Sequence, residues 1–482
     1  MRVLFVASEC VPLIKTGGLA DVVGALPKAL ADLGMDVRVL LPGYPAVLDG
    51  LRRSKFVGDR ADLFGVKAQV VSGRTAEGLE VLAIDAPGLF DRPGNPYLDE
   101  AGEDHADNWQ RFGALSWLGA SMARRGIDGW QPDVVHAHDW QAGLVPVYLG
   151  TADQAPPTLF TIHNMAFQGL FPATCRSGLG LPESGFDADG YEYWGQVGFL
   201  KAGLFYADHL TTVSPTYARE LLEDDFGMGL EGVLRARQES LSGIVNGIDT
   251  DVWDPESDPL IAKRYSRRAP AGKRHCKAAL VEEFGLEASD GPLFAVISRL
   301  TLQKGLDLLL ELVPHIVARG GRLAVVGSGD AELEAGFRAA AEAHPGAVGV
   351  FIGYDEALAH RIQAGADAIV VPSRFEPCGL TQLCGLRYGT LPIVSRTGGL
   401  ADTVIDANPA ALASGCATGF QFAPVDRNGL RTALDRAFDA HAEGATWRRM
   451  VRNALGQAVG WEASAAAYAA LYRDLVTDRI AP

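Results

Sequence analysis

Six cysteines, Cys10, Cys175, Cys276, Cys378, Cys384 and Cys416, lie scattered through 482 residues with no CxxC pair. Neither a zinc cluster nor a disulfide framework is indicated, and a reducing, cytoplasmic setting is expected. No stretch approaches the roughly 18 consecutive apolar residues of a membrane span, so no membrane partner is expected. The start, MRVLFVASEC, lacks the basic region, apolar core and small-residue cleavage pattern of a signal peptide, so export is not expected. Positive charge is short: 43 Lys and Arg stand against 59 Asp and Glu, a formal net charge of −16. That balance argues against a broad nucleic-acid surface, while a small anion needs only a few local cations. Neither half opens on GxGxxG, no GxxxxGK[ST] loop occurs, and GSGDAE (327–332) lacks a third glycine. An NAD enzyme and a P-loop nucleotidase are disfavoured, and no motif points to a lysine-bound pyridoxal phosphate.

The chain is too long for one ordinary core, and its pattern repeats. Short β-rich runs, RVLFVAS, VRVLLP, LEVLAIDA, DVVHAH, TLFTIHN and HLTTVS, alternate with helical segments in the first half. LFAVISR, RLAVVGSG, AVGVFIG, DAIVVPS, LPIVSR and GFQFAP do the same in the second. Such alternation predicts an α/β fold of two doubly wound parallel sheets, with ligands beyond the carboxyl ends of the strands. The change from one to the other is expected near NGIDTDVWDP (246–255), where Gly, Asn, Asp and Pro cluster.

TGGLAD occurs twice, at 16–21 and 397–402, each time between a strand-like run and a helix start. Paired glycines let the backbone approach a ligand, and a helix terminus favours an anion. A tight turn is the plain alternative for either copy alone. Lys15 and Arg396 precede the two copies. Arg299 and Lys304, in SRLTLQKGL, are placed to match a diphosphate and a departing phosphate. Glu376, in SRFEPCGLTQ, presents a carboxylate on a turn, for sugar hydroxyls or developing positive charge, or as a helix N-terminal acid. Cys378 reads as a small buried thiol. HAHDW (136–140) and TIHN (161–164) end two strands; Asp139, His163 and Asn164 suit a hydroxylated ligand, and a metal at His136 and His138 is not expected. Asp187 and Asp189 are read as a polar loop.

With these residues in order, the chain resembles the bacterial-type glycogen synthases, the group shared with plant starch synthases. The motifs are KTGGLADVVGALP, HAHDWQAGL, TIHNMAFQG, FLKAGLFYADHLTTVSPTYARE, NGID, SRLTLQKGLDL, PSRFEPCGLTQ and RTGGLADTV. The resemblance implies the GT-B architecture, two Rossmann-like domains facing a deep cleft: 1–245, joined by a C-terminal helix within 457–482, and 246–456. It implies a retaining transferase that moves glucose from ADP-glucose to the non-reducing end of an α-1,4-glucan, with no metal or other cofactor. Arg299 and Lys304 would hold the diphosphate, with phosphate contacts from Lys15, Gly18 and the backbone N–H groups of Leu380 and Thr381, beyond Gly379. Tyr354 would stack on adenine, Glu376 would bind the donor glucose, and Asp139, His163, Asn164, Tyr97 and Asn246 would line the sugar and acceptor region. Asp21, Cys378 and Lys277 also match family positions. Cys384 stands where related retaining transferases often have a second Glu, and Leu98 where some relatives are polar. A UDP-glucose enzyme on the same fold, and a silent glucan- or nucleotide-sugar-binding module, are the other readings; oligomeric state is not readable.

Overall fold

RVLFV, the first apolar run, forms the strand β1 (Arg2–Val6), buried from Val3 onward in the middle of a nine-stranded sheet. The computed structural model describes residues 1–150 and 155–480. Its contacts divide the chain into two units: Met1–Asn246 with the segment beginning at Trp461, and Gly247–Gly460. The first boundary falls one residue, and the second four residues, beyond the expected positions; residues 481 and 482 lie outside the described residues.

In unit 1, β1 is followed by β2 (Asp36–Pro42), β3 (Arg52–Leu63), β4 (Val66–Arg74), β5 (Glu80–Asp85), β6 (Val134–His138) and β7 (Thr158–Ile162). A three-stranded antiparallel sheet, β8 (Leu170–Pro172), β9 (Glu192–Tyr193) and β10 (Gln196–Gly198), precedes β11 (His209–Thr212) and β12 (Leu241–Gly243). The main sheet runs β12-β11-β7-β6-β1-β2-β5-β4-β3, parallel from β12 to β5. β3 and β4 depart from the all-parallel expectation, forming an antiparallel hairpin at the edge. Phe64 and Gly65 connect them with φ of 55° and 86°, the left-handed pair that a two-residue hairpin turn requires.

Unit 2 is a six-stranded, wholly parallel sheet: β13 (Leu293–Ile297), β14 (Arg322–Gly327), β15 (Val348–Ile352), β16 (Ala368–Val371), β17 (Leu391–Ser395) and β18 (Phe420–Phe422), ordered β15-β14-β13-β16-β17-β18. Alternate residues bury on opposite faces. Phe294, Val296, Leu323 and Val325 pack with Leu309, Leu312 and Phe438, while Leu293, Ala295, Ala324 and Val326 pack with Leu280 and Ile362. Each Val, Leu, Ile or Phe among them contributes about 1.5–3 kcal/mol when fully buried, which explains why these runs are almost continuously apolar.

Counting only parallel strands, unit 2 follows the order 3-2-1-4-5-6 of doubly wound dinucleotide folds, and unit 1 follows it with a seventh strand, β12, added beyond the sixth. The strand order reverses between β1 and β6 in unit 1 and between β13 and β16 in unit 2. A crevice forms at the carboxyl ends of such strand pairs, because the helices that follow them leave on opposite faces. The C-terminal helix, Glu462–Ile480, belongs to unit 1: Tyr472 OH lies 2.8 Å from His136 Nδ1, and Arg479 pairs with Asp208 at 3.0 Å. Among the described residues no helix is long and apolar enough to cross a membrane.

Candidate active site

At the switch point of unit 1, the chain leaves β1 through Ser8 and Glu9 and loops back into helix Gly18–Asp32. The Lys15 amine donates to Asp21 Oδ1 at 2.8 Å, both ends partly exposed, so the lysine is tethered inside its own loop. Glu9, only 2% exposed, accepts from the Thr16 hydroxyl (2.6 Å), the Thr16 N–H, the Gly17 N–H (3.2 Å) and the Tyr97 hydroxyl. With its O–H donated to Glu9, Tyr97 accepts from Ser8 Oγ at 2.8 Å. Burial, and then the charge of Glu9, push the Tyr97 phenol well above its ordinary range.

Beyond β6, the other strand at this switch point, Asp139 adopts φ 55° and ψ −176°, a region that side chains other than glycine rarely occupy. About 1–3 kcal/mol of backbone strain is held there. The compensation is visible: Asp139 Oδ1 accepts from the N–H groups of His163 (2.7 Å) and Asn164 (3.4 Å), fixing the turn that ends β7. Burial pushes the Asp139 carboxyl up to about 7 against the opposing pull of those two amides, and the charge of Glu9 adds to the rise. His163 Nε2 lies 3.0 Å from His138 Nδ1, and burial lowers the His163 imidazole to about 3. His136 contacts Thr161 Oγ1 at 2.6 Å as well as Tyr472, its ring lies 4.0 Å from that of His138, and burial lowers His136 and His138 too, so the three buried rings are neutral. Among the described residues no group of three or more His, Cys, Asp or Glu side chains is arranged to hold a metal ion. Asp187 and Asp189 lie exposed in a loop tied down by Lys201, which donates to Ala188 O at 2.7 Å.

At the switch point of unit 2, β13 leads into Arg299 and Lys304, and β16 into Ser373, Glu376 and helix Thr381–Tyr388. A small cavity is lined by Ser298, Lys304, Ser373, Glu376, Gly379, Leu380 and Thr381. Lys304 Nζ donates to Glu376 Oε2 at 2.7 Å, and Ser373 Oγ donates to the same oxygen at 2.8 Å. Arg299 is exposed, and its guanidinium makes no hydrogen bond or ion pair among the described residues. Gly379 has φ 74°, and an added Cβ would stand 2.4 Å from Gln382 Oε1, so this turn is closed to larger residues. Leu380 caps the helix, whose first N–H groups carry the positive end of its dipole. Cys378 is 4% exposed, and Cys384 is buried in the unit's core, where a carboxylate would be unsolvated. Tyr354, beyond the carboxyl end of β15, is 63% exposed, and its hydroxyl donates to the nearby Glu356 carboxylate.

Two expected residues stand apart. Lys277 pairs with Asp367 at 2.6 Å and donates to Gly291 O at 3.3 Å. Asp367 and Gly291 precede β16 and β13, so Lys277 is held at the amino ends of the strands, the opposite edge from this crevice; its expected substrate contact is corrected to a brace. Asn246, 7% exposed where unit 1 ends, has a side-chain oxygen with no hydrogen-bond partner among the described residues and no bond to the clusters above. Glu9 was not singled out as a site residue by its sequence. An acid after the first strand was the only signal, because its four partners are brought to it by tertiary folding.

Two doubly wound units, each carrying polar residues at its switch point, define the GT-B class of glycosyltransferase folds. Residues 2–236 match the family described as starch synthase catalytic domain, and residues 282–454 match the family described as glycosyl transferases group 1. Among curated relatives, the chain is 59% identical to a glycogen synthase of Roseobacter denitrificans, covering 99% of this chain and 100% of that one. It is 54% identical to a glycogen synthase of Rhodopseudomonas palustris, covering 99% of each. The catalytic domain of starch synthase IV from Arabidopsis thaliana, solved with ADP and acarbose, superposes with a TM-score of 0.90 at 32% identity over 99% of both chains. A sucrose-phosphate synthase from Thermosynechococcus elongatus shares the fold, with a TM-score of 0.61 at 19% identity over 99% of both chains. The chain belongs to the glycogen synthase family.

Proposed function

We propose that the protein elongates glycogen, transferring glucose from ADP-glucose to the non-reducing end of an α-1,4-glucan with retention of configuration. The observation that carries this reading is the Lys304–Glu376 pair, 2.7 Å apart at the switch point of unit 2 beside a helix N-terminus. A cation beside a carboxylate suits a sugar diphosphate: lysine for the leaving phosphate, carboxylate for hydroxyls of the glucose. The starch synthase IV structure, bound to ADP and acarbose, supports the donor and acceptor classes.

In this reading Arg299 and Lys304 take the charge of the departing diphosphate, assisted by the N–H groups of Leu380 and Thr381 and by Lys15 and Gly18. Tyr354 stacks on the adenine. Asp139 acts through the His163–Asn164 turn, whose amides it holds, so that the main-chain carbonyl of His163 faces the oxocarbenium-like sugar; Asn164, Tyr97 and Asn246 contact sugar hydroxyls. Glu376 shares one oxygen between Lys304 and Ser373 and in this reading uses its carboxylate to hold glucose hydroxyls rather than to attack the sugar. Attack then comes from an acceptor hydroxyl on the face the diphosphate leaves, with the diphosphate taking the proton. Excluding water limits loss of the donor to hydrolysis. The chemistry needs no metal or other cofactor, and a cytoplasmic location fits its substrates.

The test supplies ADP-glucose and UDP-glucose separately, with a glucan primer, and measures nucleotide release. A kcat/KM at least about tenfold higher for ADP-glucose, a difference of ~1.4 kcal/mol, is expected. Preference for UDP-glucose would overturn the donor assignment, and no release from either would overturn the transferase reading.

A further inference from the structure

We propose that Glu9 is the positioning residue of the first glycine loop, its carboxylate holding Thr16, Gly17 and Tyr97 in the arrangement that meets the donor. The assignment rests on the ADP-glucose reading for what the loop receives, and on geometry alone for how it is held.

An ionised carboxylate has about four acceptor sites, and Glu9 uses four. Oε1 takes the Thr16 and Tyr97 hydroxyls, and Oε2 takes the Thr16 and Gly17 amides. At 2% exposure, with every partner a donor, Glu9 is saturated and cannot also serve as nucleophile or base. Its bonds join three pieces of chain: the end of β1, the loop that carries Lys15, and the 91–107 segment that carries Tyr97. Helix Gly18–Asp32 has Gly17 as its cap, a residue with no side chain to satisfy an amide. Glu9 instead takes the Thr16 and Gly17 amides just ahead of the helix and so fixes the chain where it enters the first turn. The same four donors offset its negative charge, so an anion can approach the adjoining amides and the Lys15 amine. Replacing one oxygen by an NH₂ turns part of this acceptor into a donor facing donors, a mismatch that frees the loop rather than merely weakening one bond.

The experiment compares the full-length enzyme with Glu9→Gln and Thr16→Val, measuring kcat and KM for donor and glucan separately, with circular dichroism to verify folding. Folded Glu9→Gln should raise the donor KM about tenfold and lower kcat about tenfold. Thr16→Val, on an exposed residue, should raise the donor KM about three- to fivefold and leave the glucan KM within about twofold; the double variant should be no worse than Glu9→Gln alone. Folded Glu9→Gln with all constants within about twofold of wild type would overturn the proposal. If Glu9→Gln fails to fold, Thr16→Val decides: an unchanged donor KM, or equal changes in donor and glucan KM, overturns it. Tryptic cleavage after Lys15 gives a readout independent of substrate, since a released loop is cut faster. A wild-type enzyme that transfers no glucose would overturn the functional reading alone, while unchanged cleavage in both folded variants would overturn the role of Glu9.

Discussion

The two copies of TGGLAD each join a strand to a helix but at different places in the two sheets, the first after β1 at the switch point and the second after β17, one strand beyond it, and the surroundings of their glycines are opposite. In the first copy, Gly17 and Gly18 are exposed, Gly17 has φ −150°, and a Cβ on Gly17 would meet nothing within 4 Å. In the second, Gly398 and Gly399 are buried against the loop that carries Glu376. Gly398 has φ 42°, and a Cβ there would stand 1.9 Å from the Glu376 carbonyl oxygen. Gly399 donates its N–H toward Glu376 O (3.2 Å) and Pro377 O (3.1 Å). One copy gives its Thr16 and Gly17 amides to the Glu9 carboxylate and keeps its glycines exposed, and the other spends its backbone bracing a neighbouring loop. Identical residues therefore do different work, and the difference lies in what packs against them.

The comparison can be broken or sharpened at several points. Removing the cation that the braced loop serves should have the largest effect: Lys304→Ala is expected to lower kcat by about 10²–10³, or ~3–4 kcal/mol, as loss of a donor to developing negative charge does. A turnover within a few-fold of wild type would remove Lys304 from the leaving-group role. Next comes Gly398→Ala, which places a methyl group against a backbone carbonyl at a left-handed φ; unfolding measured by denaturant should show a loss of about 2–4 kcal/mol. Gly17→Ala should change stability by less than about 1 kcal/mol, because the site has room and an ordinary φ, and any effect should appear in the donor KM instead. Equal destabilisation by the two alanines would show that the copies are equivalent after all.

A smaller effect concerns pH in unit 1. His163 is lowered to about 3 in the fold, so below about pH 6.5 the unfolded chain takes up a proton that the folded chain refuses. Stability from this group is present above pH 6.5 and is lost as pH falls toward 3, with a slope of at most ~1.4 kcal/mol per pH unit. Asp139, raised to about 7, works the other way: its contribution is full below about pH 4 and is lost as pH rises through 7. Asp139→Asn should therefore cost least near pH 8 and most near pH 5, read from thermal unfolding across that range. A pH-independent cost would contradict the buried carboxylate.

Much of this was legible in the chain. The apolar runs of alternating βαβ units predicted both parallel sheets, and Arg299, Lys304, Glu376 and Asp139 follow the switch-point strands β13, β16 and β6, while His163 follows the neighbouring β7. Other features depended on packing between distant segments. The β3–β4 hairpin hides in a stretch of mixed charged and apolar residues, RRSKFVGDRADLFGVKAQVVSGR, whose decisive feature is the two-residue Phe64–Gly65 turn. Lys277 reads as one more cation until its ion pair with Asp367 fixes it at the wrong end of the sheet. Glu9 is a lone acid until Thr16, Gly17 and Tyr97 converge on it, and Asp139 gives no sign in sequence that its backbone is strained.

The most direct test of the account is analysis of the product made from labelled ADP-glucose and glycogen. Label should enter the glucan at its non-reducing ends and be released by an exo-acting enzyme specific for α-1,4 bonds. Label that stays in free glucose, or enters the glucan in a bond that enzyme cannot cut, would contradict it.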